Sequence, residues 1–137
     1  VNELTPVMTR IRKTYERHLG NLDNSSVFIE TGGRGLEIRI DNSAPYGQIN
    51  TGDMWVAYRW NGTEGNPIEY YEYNTTFIYN VAEGISNFFV NSPNAKPNEA
   101  INIRLYKKRI PGQPEHWYNN TAINLSSTIY ARGASLR

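Results

Sequence analysis

The sequence predicts a mainly β fold, an antiparallel β-sandwich or jelly roll of about eight strands with one N-terminal amphipathic helix. Three observations predict it. Apolar residues recur at helical spacing only near the start of the chain, two later stretches alternate apolar and polar residues with a period of two, and turns rich in Gly, Pro and Asn divide the rest into short segments. A chain of 137 residues has room for one substantial core without covalent staples.

The helix comes first. Thr5 can cap it, Pro6 suits its first turn and Gly20 lies where it would stop, while Val7, Met8, Ile11, Tyr15 and Leu19 form an apolar stripe over residues 6–19. Residues 1–20 therefore read as a helical arm packed on a β-sandwich domain of residues 21–137. Arg10, Lys13 and Arg17 recur at i, i+3 and i+7 and are expected opposite the stripe. There they form a solvated edge or a contact for an anionic membrane or nucleic acid.

The period then changes to two. Leu36, Ile38 and Ile40 alternate with Glu37, Arg39 and Asp41, and Ile101, Ile103 and Leu105 alternate with Asn102, Arg104 and Tyr106, each the pattern of a half-buried strand. Further strands are expected at 26–31, 53–60, 68–73, 76–81, 85–90, 116–118 and 122–130. They are separated by turns at Thr31–Gly35, Asn42–Pro45, Asn61–Pro67, Asn91–Pro97 and Pro111–Pro114. Residues 91–98 have the composition of a long surface loop. Asparagine, present seventeen times, favours turns because its side chain bonds nearby backbone and tolerates positive φ. Five Asn-x-Ser/Thr sequons, at Asn24, Asn61, Asn74, Asn119 and Asn124, would accept glycans only in a eukaryotic secretory pathway.

Composition narrows the chemistry. The absence of cysteine removes disulfides, thiolate metal sites and thiol nucleophiles. No apolar run approaches the ~18 residues of a membrane helix, and Val1 in first place fits a processed product or an excised domain. The net charge of +1 hides an uneven layout: residues 1–20 and 104–137 sum to +7, and residues 21–103 to −6. Opposed charge of this kind predicts a polarised molecule.

Catalytic constellations are weak. Only two histidines exist, His18 in the helix and His116 after a turn. A hydrolase triad could be assembled from His116, Ser126 or Ser127, and Asp41 or Asp53, but no Gly-x-Ser-x-Gly turn surrounds any serine. Glu69 and Glu72 lie beside three tyrosines, yet on a strand they face opposite sides and cannot flank one sugar ring unless a bulge intervenes. The glycines of Thr31–Gly35 lack the Lys-Ser/Thr of a phosphate loop and read as a tight hairpin turn. Neither metal-ligand spacing nor a cofactor motif is present, so no metal, cofactor or enzymatic activity is expected.

The aromatic residues carry the sharpest signal. Ten of seventeen fall between Trp55 and Phe89, more than one face of a small sheet usually buries. In Met54–Trp60, core packing should claim Met54, Val56, Tyr58 and Trp60. That leaves Trp55 and Arg59 on the opposite face, joined by Tyr71 and Tyr73 if strand 68–73 pairs beside it. Indole and phenol rings stack on sugar faces while an Arg supplies polar specificity. Trp55, Arg59, Tyr71 and Tyr73 are the expected ligand-binding residues, for a glycan or a protein receptor, though rings of this kind can equally close two sheets or a subunit interface.

Two resemblances bear on function. The basic helix Met8–Leu19 followed by an Asn-, Thr- and Tyr-rich β-domain resembles the layout of small virus coat proteins, which implies a genome-facing arm and self-association at a virion surface. Ile101–Arg109 resembles the basic strand of actinoporin-type cytolysins, which implies membrane binding through an N-terminal helix and surface rings. The leading expectation is a non-enzymatic structural and recognition module, a virion coat or protrusion domain or other extracellular surface protein. It would self-associate and hold a glycan or receptor on the aromatic patch. An actinoporin-like or lectin-like membrane-binding module is the alternative, and a hydrolase using His116 the third.

Overall fold

A computed structural model describes residues 3–18, 26–40, 53–73 and 75–131, Tyr118 by its backbone alone. Among these residues the chain runs through helix α1 (Thr5–Tyr15) and strands β1 (Val27–Ile29), β2 (Gly35–Ile40), β3 (Met54–Arg59), β4 (Ile68–Glu72), β5 (Thr76–Ala82), β6 (Asn87–Asn91), β7 (Ala100–Lys108) and β8 (Ala122–Tyr130). Every ladder is antiparallel. The first five strands form one sheet in the order β1-β2-β3-β4-β5, and the last three form another in the order β6-β7-β8. The fold is thus a mainly β sandwich with an N-terminal helix. Because neighbours in each sheet are neighbours in sequence, it consists of two meanders rather than the interleaved Greek keys of a jelly roll.

Alternation decides what is buried. Leu36, Ile38 and Ile40 of β2 face Val56 and Tyr58 of β3 and Phe88 and Val90 of β6 in one apolar core with Ile101, Ile103, Leu105 and Ile129. The helix belongs to the same core: Val7, Met8, Ile11 and Tyr15 are all buried in it. Its polar anchors are the Tyr15 hydroxyl, which donates to the Pro97 carbonyl at 2.7 Å, and Thr14 Oγ1, which lies 2.7 Å from the Tyr58 hydroxyl.

Several boundaries differ from expectation for physical reasons. Thr5 lies inside the first helical turn rather than capping it. Leu4 holds the cap position with no side-chain cap bond, and its burial to 1% exposure anchors the helix start instead. The helix also stops at Tyr15, short of residue 19, because the chain tightens into a turn and His18 forms a backbone bridge with Ile40 of β2. The expected stop at Gly20, the stripe residue Leu19 and the Asn42–Pro45 turn lie outside the described residues.

The strand expected at 116–118 is absent; Trp117–Asn119 form a 3-10 turn within the β7–β8 connection. Buried Asn120 holds that connection together. Its side chain accepts from the Ile110 N–H at 2.6 Å and donates to the carbonyls of Ile110 at 2.8 Å and Gln113 at 3.0 Å, mimicking a strand pairing within a loop. The Thr31–Gly33 turn closes the β1–β2 hairpin as expected, with Gly32 and Gly33 at φ +87° and +76°.

Candidate functional site

The register of the five-stranded sheet brings the predicted patch together on its outer face. Arg39 of β2 pairs across from Trp55 of β3, Glu37 from Ala57, Ala57 from Tyr71 of β4, and Tyr71 from Phe77 of β5. Val56, Tyr58 and Trp60 are buried on the other side, at 0%, 1% and 5% exposure, as the period of two requires. The Tyr73 N–H donates to the Trp55 carbonyl at 2.7 Å, which sets Tyr73 beside Trp55 just past the end of β4, at φ 55° and 69% exposed. Phe28 and Phe77, at 53% and 49% exposed, extend the ring surface toward both edges of the sheet.

Arg59 has a different part from the one expected. Its guanidinium lies 4.9 Å from the Tyr71 ring centre, while Nε bonds Glu30 at 2.6 Å and Nη2 bonds Glu37 at 3.4 Å. It therefore organises the patch rather than standing open to a ligand. Gly35 makes this possible, since a Cβ there would collide with the Glu30 carboxylate. Burial first, then the hydrogen bond and charge of Glu30, push the Glu37 carboxyl above the ordinary range, against the opposing pull of Arg59. Arg39, which is not among the four expected ligand-binding residues, lies 6.0 Å from the Trp55 ring centre. Its signal was its place opposite the Leu36, Ile38 and Ile40 face; only register could say that it meets Trp55.

Glu69 and Glu72 are separated as strand geometry demands. Glu69 Oε1 accepts from the Tyr71 hydroxyl at 3.0 Å on the outer face, and Glu72 Oε2 accepts from Tyr70 at 3.2 Å on the inner one. The histidines occupy unlike settings: His18 is buried and stacks edge-on against Tyr15 at 4.5 Å, and His116 is exposed beside the 3-10 turn. No group of three or more His, Asp or Glu suited to a metal occurs among the described residues.

Arg10, Lys13 and Arg17 are all exposed, and together with Thr5, Pro6 and Thr14 they line one surface of the helix. Arg10 does not point simply to solvent. Its guanidinium lies 4.7 Å from the Tyr79 ring centre and 5.5 Å from that of Tyr70, so this row borders the inner face of the sheet. Of the helix, Val7, Met8, Ile11 and Tyr15 are committed to the core. No known protein family, curated protein or solved structure matches the chain.

Proposed function

We propose that this chain is a non-enzymatic recognition and assembly module that holds a glycan or protein receptor on the outer face of its five-stranded sheet. The observation that carries the reading is the convergence of Trp55, Tyr71 and Phe77 with Arg39 on one sheet face, with the Tyr73 backbone bonded to Trp55 beside them and the Glu30–Arg59–Glu37 ion pairs bracing the face from within it. Rigid rings beside a cation and the Glu69 carboxylate offer both a stacking surface and polar edges to a sugar or a peptide. The setting that suits such a module is a virion or other extracellular surface, as a coat or protrusion domain. Self-association draws support from β5, an edge strand of seven uncharged residues that exposes Phe77 and Ile78.

The test is a glycan array probed with the wild-type protein and with Trp55→Ala. The substitution is expected to abolish binding while lowering stability by about 1 kcal/mol or less, as for a surface position. A loss of roughly 3 kcal/mol would mean that the ring is core rather than site, and the reading would fall.

A further inference from the structure

The outer face of the three-stranded sheet carries a second groove, built from different residues. Strand register lays them out in two rows, Phe89–Arg104–Ser126 and Asn91–Asn102–Thr128, and these six side chains line the groove. Within the second row, Thr128 Oγ1 donates to Asn102 Oδ1 at 2.6 Å, and Asn102 Nδ2 donates to Asn91 Oδ1 at 2.9 Å. The chain of bonds has a direction. Each amide oxygen accepts one of these bonds, and the Asn91 amide N–H groups, with the second N–H of Asn102, remain as donors at the groove.

Charge points the same way. Strands β6, β7 and β8 contain no Asp or Glu. Of the three cations in them, Lys107 pairs with Glu3 at 3.5 Å and Lys108 with Glu64 at 3.2 Å, whereas exposed Arg104 has no carboxylate partner among the described residues. Glu115, in the β7–β8 connection, is hydrogen-bonded to Tyr106. A guanidinium with amide and hydroxyl donors beside it matches the paired oxygens of a carboxylate.

Phe89 supplies the apolar side. It is 39% exposed, and its ring edge packs against Gly33, where a Cβ would stand only 2.6 Å from Cε1. One cation argues for a singly charged ligand, and a ring beside it for a sugar rather than a bare anion.

We infer that this groove is a site for a carboxylated sugar, with Arg104 holding the carboxylate, Asn91 and Asn102 donating to hydroxyl or carbonyl oxygens, and Phe89 stacking on the ring. It is independent of the patch at Trp55. Titration calorimetry with sialyllactose, lactose and acetate separates the contributions, with circular dichroism confirming that each variant folds.

Sialyllactose is expected to bind, with lactose and acetate each at least about tenfold weaker. Arg104→Ala should lower the affinity about tenfold or more, since a charge-assisted bond is lost, and Arg104→Lys should fail to restore it because the bidentate fork is gone. Phe89→Ala should weaken sialyllactose but not acetate. Equal binding of lactose and sialyllactose, or of acetate and sialyllactose, would overturn the assignment, as would binding unaffected by Arg104→Ala. Binding lost on Trp55→Ala but kept on Arg104→Ala would place the sugar on the other sheet, overturning this site while upholding the aromatic patch.

Discussion

At the scale of single residues, burial and charge act through neighbours that the sequence does not place. His18 is the clearest case. It is 8% exposed beneath Tyr15, its Nδ1 lies 3.5 Å from Ser26 Oγ, and burial lowers its pKa from the usual 6.5 to about 4. Above the unfolded value both states hold a neutral imidazole and stability is complete. As pH falls from 6.5 toward 4, the unfolded chain takes up a proton that the folded one refuses, and about 3 kcal/mol is lost across that window. Urea unfolding at stepped pH should show this slope in the wild type and a flatter one in His18→Gln; identical slopes would place the ring in water. Glu37 works with the opposite sign. Its raised pKa means that stability is fullest below the ordinary carboxylate value and declines as pH rises through the folded one.

At the scale of elements, α1 is a component of the sandwich rather than a detached arm. Its four buried residues fill the core, and its basic edge reaches the tyrosines of β4 and β5. Neighbouring cations should then behave differently. Arg10→Ala is expected to cost about 1 kcal/mol in chemical denaturation through the lost stacking on Tyr79 and Tyr70, and Lys13→Ala less than about 0.5 kcal/mol. If the row also meets an anionic surface, both variants should weaken retention on anionic vesicles, and the wild type should release steeply as salt rises. Salt-independent retention would reduce the row to a structural edge. The same interplay governs the β1–β2 turn, where Gly33 is required twice, by its positive φ and by the Phe89 ring against it.

At the scale of the whole molecule, two consecutive meanders make β1, β5, β6 and β8 the edge strands among the described residues, and the turn at Gly33 packs against β6. The two longest, β5 and β8, carry no charged residue. Natural sheets usually guard such edges with Lys, Pro or bulges, and β5 has only its register irregularities against β4. Ile78→Lys, at a position 40% exposed on β5, should therefore shift any oligomer seen by light scattering toward monomer while moving stability by about 0.5 kcal/mol or less. An unchanged mass would take β5 out of the assembly surface.

The sequence by itself determined the class, the helix and the faces. Alternation is a local property of the chain, so Val56, Tyr58 and Trp60 could be set inside and Trp55 and Arg59 outside before any partner strand was known. It could not determine which strands are neighbours. Only tertiary pairing placed Arg39 against Trp55, turned Arg59 into the brace between Glu30 and Glu37, and aligned Arg104 with Phe89 and Ser126. These contacts join residues distant in the chain, and register, fixed by burial of the whole core, is what selects them.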